Sequence, residues 1–236
     1  DSRRDCEDYP WPDLLEPYRY EGMADRVKEI HNEDYYVIGS VGHIFEIAWQ
    51  VRRMDRLFMD MVEQPELAEY LFDRITERQA EVARQVALAD CDQVMLGDDV
   101  GMQDRLMMSP DTWRQWLKPR RRRVIESATS VKPDIQVWYH SDGSIQQIIP
   151  DLIEVGVTIL NPIQPECMDP AEIKELYGDK LAFWGTIGTQ TTMPFGTPED
   201  VRAEVKRRVE TVGRGGGLLI APTHVLEPDV PWENVE

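Results

Sequence analysis

The stretch Gln136-Val137-Trp138-Tyr139-His140-Ser141-Asp142-Gly143 is an apolar, strand-like run that ends in His-x-Asp and a glycine. Alternate side chains of an extended chain share a face, so we expect His140 and Asp142 to point toward the same place. A second strand-like run, Leu218-Leu219-Ile220-Ala221-Pro222-Thr223-His224, also ends in a histidine. Two of the four histidines therefore follow strands, which predicts a chemical site at one edge of a parallel sheet.

Strand-like and helical patterns alternate along the chain, and the strands are almost continuously apolar, as in parallel sheets that are buried on both faces. This alternation predicts an α/β protein, either a (β/α) barrel or a doubly wound sheet. Six strand–helix units are two short of an eight-stranded barrel, so we expect the N-terminal units to lie outside this chain. Strands are predicted at residues 35–40, 93–97, 136–140, 157–160, 181–184 and 218–221; helices at 44–51, 54–62, from 66 past 86, 109–131, 145–155, 169–178 and 197–212; and an extended lead-in over 1–22.

The composition excludes several classes of partner. A net charge of −18 argues against nucleic acid, which needs a basic surface. The one dense basic run, residues 118–123, is interpreted as the solvated face of a helix. No apolar run approaches the roughly 20 residues of a membrane span. Three cysteines without a C-x-x-C pair favour a reducing setting, so a cytoplasmic location is expected.

A polar residue or a glycine ends every predicted strand, and the carboxyl ends of barrel strands converge on one mouth. His140, Asp142 and His224 are the predicted centre. Two imidazoles and a carboxylate could bind a divalent metal with one position left open. The same residues could instead act as a metal-free acid/base set. Both alternatives stay open at this point, and His31 and His43 are interpreted as structural.

Several further motifs occur in a specific order along the chain. They include Gly97-Asp98-Asp99-Val100-Gly101-Met102-Gln103, the His140–Gly143 motif, Gly156-Val157-Thr158-Ile159-Leu160-Asn161-Pro162-Ile163-Gln164, Trp184-Gly185-Thr186-Ile187-Gly188-Thr189-Gln190 and Pro231-Trp232-Glu233-Asn234. From about residue 35 onward the chain resembles the uroporphyrinogen decarboxylase superfamily. The resemblance implies a TIM-type (β/α)8 barrel and a single barrel domain over residues 1–236.

The resemblance implies an enzyme, with two branches to choose from. Uroporphyrinogen decarboxylases need no cofactor and grip the substrate with an N-terminal arginine-rich loop, which this chain does not contain. The corrinoid or coenzyme M methyltransferases bind zinc through H-x-C and a later cysteine. Here His140 matches the histidine, while Asp142 and His224 stand in the places of the two cysteines.

The leading hypothesis is therefore a metal-dependent methyltransferase or demethylase of the corrinoid-linked type. It would have a small-molecule substrate, a corrinoid protein as partner and zinc at His140, Asp142 and His224. The alternative is a cofactor-free tetrapyrrole decarboxylase of porphyrin biosynthesis, with Asp98 and Asp99 beneath the pyrrole NH groups. A third hypothesis is a corrinoid- or tetrapyrrole-binding module without catalysis. The expected catalytic residues are Asp98, Asp99, His140, Asp142 and His224, and the expected substrate-binding residues are Gln103, Tyr139, Asn161, Gln164, Gly185 and Gln190.

Overall fold

The computed structural model of the protein describes residues 3–236. The chain divides into two compact units, one of Asp1–Asp98 with Asp111–Val137 and one of Asp99–Pro110 with Trp138–Glu236. Strand β3 (Gln136–His140) begins in the first unit and ends in the second. The single barrel domain expected over the whole chain stays a prediction.

The first unit is built around a long helix and a pair of parallel strands. Its elements are α1 (Arg3–Glu7), α2 (Met23–His31), β1 (Ile38–His43), α3 (Phe45–Arg52), α4 (Met54–Glu63), α5 (Pro65–Leu88), β2 (Gln93–Gly97), α6 (Pro110–Trp116) and α7 (Lys118–Thr129). β1 and β2 pair in parallel, so that Ile38 lies opposite Gln93. Leu71 and Phe72 of α5 are buried, and α7 packs along the same helix. The apolar stripe that predicted α5 is thus its core face.

The second unit carries the site. Its elements are the end of β3, α8 (Ile149–Glu154), β4 (Ile159–Asn161), α9 (Pro170–Tyr177), β5 (Ala182–Ile187), α10 (Thr192–Phe195), α11 (Pro198–Thr211) and β6 (Leu218–Pro222). β3, β4, β5 and β6 pair in parallel in that order. Helix α11 begins at a capping box in which Thr197 and Asp200 exchange hydrogen bonds. Strands that alternate with helices confirm the predicted parallel α/β class.

The predicted N-terminal boundaries are wrong in two places. The lead-in, whose first two residues lie outside the described part, contains α1 and a 3-10 turn at Pro17–Arg19 instead of being extended throughout. Strand β1 begins at Ile38, not at residue 35, because Tyr35 and Tyr36 are exposed aromatic residues that precede the strand. Aromatic residues have high strand propensity only where they can pack on a half-buried surface.

Prolines explain two further differences. The helix expected over 109–131 is divided at Leu117 into α6 and α7, with Pro119 in the first turn of α7. The helix expected over 145–155 begins as a 3-10 turn, Gln146–Ile148, and becomes α8, with Pro150 in its first turn. Proline has no N–H to donate into a helix, so it is tolerated only near the start of one.

Among residues 3–236, every helix is too short or too polar to span a lipid bilayer.

Candidate active site

Two loops whose backbones contact each other hold two of the predicted catalytic residues, Asp99 and Asp142. Ser144 donates its N–H to the Met102 carbonyl over 2.7 Å. A Cβ on Gly143 would lie 2.6 Å from the carbonyl carbon of Gly101, and Gly143 has a φ of +79°. Only glycine combines a positive φ with the absence of a Cβ, so only glycine fits here without strain. These contacts hold the segments 99–102 and 141–144 in a fixed arrangement, in which Asp99 and Asp142 lie side by side.

His140, at the end of β3, has a defined tautomer. The Asn161 amide nitrogen donates to the Trp184 carbonyl over 3.0 Å, which turns the amide oxygen of Asn161 toward His140. His140 Nδ1 lies 2.7 Å from that oxygen and must carry the proton, because a carbonyl oxygen only accepts. In the neutral ring, Nε2 then holds a lone pair. Trp138 stacks on the imidazole, with 12° between the ring planes, and restricts its rotation.

The lone pair of His140 faces two carboxylates. Nε2 lies 3.6 Å from Oδ1 of Asp99 and 3.8 Å from Oδ1 of Asp142. Asp99 Oδ1 also accepts the backbone N–H of Asp142 over 2.9 Å, which fixes its side chain. Single ligand atoms of His140, Asp99 and Asp142 all lie within 4.8 Å of one another. A cation between them would neutralise the two adjacent negative charges.

His224 lies beside this cluster rather than inside it. Its Nε2 is 3.7 Å from Asp142 Oδ2, the oxygen that does not face His140. The imidazole is about half-exposed, whereas that of His140 is mostly buried. Asp142 thus lies between the two histidines. Asp99 contacts both His140 and Asp142, although the sequence did not group it with them. The backbone contact between the two loops has no sequence motif of its own, so this proximity could not be predicted.

A cavity of about 400 Å³ opens onto Asp142 and His224, and three amide side chains line it. Gln164 accepts the Gly143 N–H over 3.1 Å, and Gln103 donates to the Glu166 carbonyl over 3.2 Å. Gln190, the third amide, is held by its backbone N–H, which donates to Glu166 Oε1. Gln103, Gln164 and Gln190, all expected to bind substrate, are thus brought to one cavity.

The other three residues expected to bind substrate have different surroundings. Tyr139 is 1% exposed, within the core, and does not line the cavity. Asn161 accepts the hydrogen bond from His140 Nδ1 that is described above. Gly185 lies in β5, where an added Cβ would come within 3.1 Å of Pro162 Cβ. Close packing against the chain that follows β4 therefore explains why this position is a glycine.

Asp98 is turned into the first unit. One carboxylate oxygen accepts N–H groups at the start of α3, from Ile44 at 2.8 Å and Phe45 at 2.7 Å. The other oxygen pairs with Arg121, and both side chains are only 2% exposed. Burial raises the pKa of Asp98, while Arg121 and the α3 N–H groups favour its charged form. The interpretation of residues 118–123 as a solvated face is wrong for Arg121.

A second group of ligand-type atoms lies in the first unit, at His43, Glu46 and Asp98. His43 Nδ1 is 2.9 Å from Glu46 Oε1, and this hydrogen bond raises the pKa of His43. The buried guanidinium of Arg121 already neutralises Asp98 and would repel a metal cation. We therefore assign this group a structural role, at the junction of β1, α3 and α7.

The donor set around His140 fits a divalent metal. A metal-bound histidine normally donates its other ring N–H to a protein oxygen, as His140 does to Asn161. Imidazole nitrogen and carboxylate oxygens are accepted ligands for zinc and for other divalent transition metals. Among residues 3–236, no cysteine belongs to this group of ligand-type atoms, which consists of Asp99, His140 and Asp142.

The family model for uroporphyrinogen decarboxylase (URO-D) matches residues 2–236. The chain belongs to this family. Two curated relatives carry the name methylcobamide:CoM methyltransferase MtaA, one from Methanosarcina barkeri at 26% identity and one from its strain Fusaro / DSM 804 at 25%. Each alignment covers 95% of this chain and 63% of the relative, so the chain spans less than two thirds of their length.

A solved structure has a similar fold. It is described as a methyltransferase from Methanosarcina mazei and matches with a TM-score of 0.71 at 23% identity. The match covers 90% of this chain and 60% of that one. At this identity the likeness concerns the fold, and it agrees with the barrel-type α/β architecture that the resemblance implied.

Proposed function

We propose that this URO-D family chain carries the catalytic centre of a metal-dependent, corrinoid-linked methyltransferase. The observation that supports the proposal best is the orientation of His140, whose Nε2 lone pair faces the carboxylates of Asp99 and Asp142. His140, Asp99 and Asp142 would hold the metal, with His224 next to Asp142 as a further ligand or as a base. The names of the curated relatives favour methyl transfer over decarboxylation.

When bound, the metal would supply Lewis acidity, which makes a thiol or similar acceptor group nucleophilic at neutral pH. The chain's own residues would supply position and charge. Asp99 and Asp142 favour a cation, and Asn161 keeps the His140 lone pair aimed at it. The Gln103, Gln164 and Gln190 amides would hydrogen-bond polar groups of a small acceptor in the cavity. His224, half-exposed beside Asp142, would take the acceptor's proton.

The decarboxylase alternative receives less support from the site. It needs Asp98 and Asp99 together beneath a tetrapyrrole, so that both carboxylates stabilise developing positive charge. Asp98 is 1% exposed and engaged by Arg121 and the start of α3. Its carboxylate therefore stabilises the fold of the first unit, and only Asp99 would remain for that chemistry.

Metal analysis and a methyl-transfer assay on the same preparations test the proposal. The full-length protein, purified without added metal, should contain about one zinc or other divalent transition metal per chain. His140→Ala and Asp142→Ala should lose that metal, together with transfer of methyl from methylcobalamin to 2-mercaptoethanesulfonate. His31→Ala is the matched control, since His31 pairs with Asp92 in the first unit.

The outcomes separate the three hypotheses. Metal that survives His140→Ala and Asp142→Ala would overturn the proposed centre. A metal-free protein that decarboxylates uroporphyrinogen would favour the alternative branch. Bound metal and bound corrinoid with no turnover of any thiol would favour a non-catalytic module.

A further inference from the structure

The first unit contains a second cavity that the proposed methyl transfer does not use. It has a volume of about 270 Å³ and lies where the lead-in crosses α3 and α5. Trp11, Leu14, Ile47, Val51 and Ile75 give it mainly apolar walls. The Trp11 ring is held in place, because its indole N–H donates to the Cys6 carbonyl over 3.0 Å and Tyr9 packs edge-on against it.

One wall of this cavity carries a buried guanidinium. Arg78 of α5 is 7% exposed, and its side chain lies over the Trp11 ring at 5.7 Å from the centroid. Its Nη2 is buried and, within the described part of the chain, has no hydrogen-bond partner. Neighbouring Gln79 is 3% exposed, and its Oε1 is likewise buried without a partner. Buried polar groups normally have partners, so two unpartnered ones on a single cavity are unusual.

Charge around Arg78 is also unbalanced. Among the described residues that line this cavity, Arg78 alone carries a charge. Arg74 and Arg19 add positive potential nearby, and Asp13 opposes it in part. Burying a cation without a close counter-charge is costly, and an anion from outside would remove the cost.

We propose that this cavity binds a small monocarboxylate with an apolar body, whose carboxylate pairs with Arg78 and whose body packs against Trp11 and Ile75. A guanidinium matches a carboxylate through two parallel N–H···O bonds, which a single planar anion satisfies. The apolar walls favour an organic acid over inorganic phosphate. This inference does not depend on the proposed methyl transfer.

Isothermal titration of the full-length protein with isosteric probes tests the inference. Benzoate and hexanoate should bind at least tenfold more tightly than benzamide and hexanamide, and more tightly than inorganic phosphate. Arg78→Met should weaken benzoate binding at least tenfold, while Arg78→Lys, which keeps the charge but loses the two-pronged geometry, should give an intermediate loss. Arg74→Met is the matched control, because Arg74 lies on the same helix with its side chain 43% exposed. Water and salt screen its charge, so this variant should lose much less benzoate affinity than Arg78→Met.

A thermal-shift measurement covers the case in which Arg78→Met does not fold. Benzoate should raise the melting temperature of the wild type and of Arg74→Met, and raise that of Arg78→Lys less. Equal binding of benzoate and benzamide, or benzoate binding unchanged in the Arg78 variants, would overturn the proposal. Phosphate binding in preference to both carboxylates would overturn the assigned ligand class.

Discussion

At the scale of single residues, the site depends on one amide. Asn161 connects the Trp184 carbonyl to His140 Nδ1, so a side chain on β4 determines which nitrogen of His140 is free. Such supporting hydrogen bonds typically change metal affinity by about 10–100-fold when they are removed. The sequence reasoning placed Asn161 at a strand end and expected it to bind substrate. In the structure its amide has hydrogen-bond partners within the protein, at His140 Nδ1 and the Trp184 carbonyl.

We expect Asn161→Ala to weaken zinc binding by roughly 10–100-fold, because the His140 ring loses its fixed tautomer and orientation. Competition with a chromogenic chelator measures the affinity, and ¹⁵N chemical shifts of the imidazole report the tautomer. Asn161→Asp is the matched control, since its carboxylate still accepts from Nδ1, and it should keep the affinity within about tenfold of the wild type. Unchanged affinity and tautomer in Asn161→Ala would contradict this role.

At the scale of elements, Asp98 joins three pieces of the first unit. It follows β2, accepts from the N-terminal N–H groups of α3 and pairs with Arg121 on α7. A helix N-terminus carries partial positive charge, so the carboxylate interacts favourably with both partners. Removing one member of a buried pair leaves the other charge uncompensated, which usually costs about 3–5 kcal/mol.

We therefore expect Asp98→Asn to lower the free energy of unfolding by about 3–5 kcal/mol, because Arg121 stays buried without its counter-charge. Urea denaturation followed by circular dichroism measures the loss. Asp73→Asn is the control: Asp73 of α5 pairs with Arg120 of α7 but is 55% exposed. Because Arg120 keeps its hydrogen bond to the Trp116 carbonyl, the expected cost is about 0–1 kcal/mol. Similar small losses in both variants would mean that Asp98 does not hold these elements together.

The elements that could be predicted from the sequence are those with a strong local signal. Strand β2 was predicted with the observed ends, and α5 was found from its apolar stripe. The role of Arg121 could not be predicted, because a basic run on a helix is normally solvated and only the packing of α7 buries this one side chain. Helix α2 was not predicted at all, since Val27 is its one buried residue and gives no periodic pattern.

The residues of the site likewise divide into those with a local sequence signal and those without one. Strand ends identified His140 and Gln164, since those positions follow from the order of strands and turns, whereas Gln103 and Gln190 were identified from the motifs of the family resemblance. The pairing of Asp99 with Asp142, which are 43 positions apart, depends on the contact between their two loops at Gly101 and Gly143. Arg78 gave no signal, because an arginine in an amphipathic helix is ordinarily exposed.

At the scale of the whole molecule, the dominant property is a net charge of −18. Several ion pairs on the helices are exposed i,i+3 or i,i+4 contacts, such as Arg202 with Glu199, and each contributes about 0–1 kcal/mol. They do not offset the excess of acidic residues. Mutual repulsion of that excess opposes the compact state, and added salt weakens it.

The melting temperature should therefore rise as NaCl is increased from about 10 mM to about 300 mM, over which the screening length falls from roughly 30 Å to below 10 Å. Each 1 kcal/mol gained corresponds to about 2–4 °C for a chain of this size. Calorimetry at neutral pH measures the shift. The double variant Glu33→Lys and Glu69→Lys changes two exposed positions and lowers the net negative charge, so it should melt higher at low salt and respond less to NaCl. A melting temperature that falls with NaCl would show instead that local ion pairs outweigh the general repulsion, and a salt response unchanged in the double variant would exclude net charge as its cause.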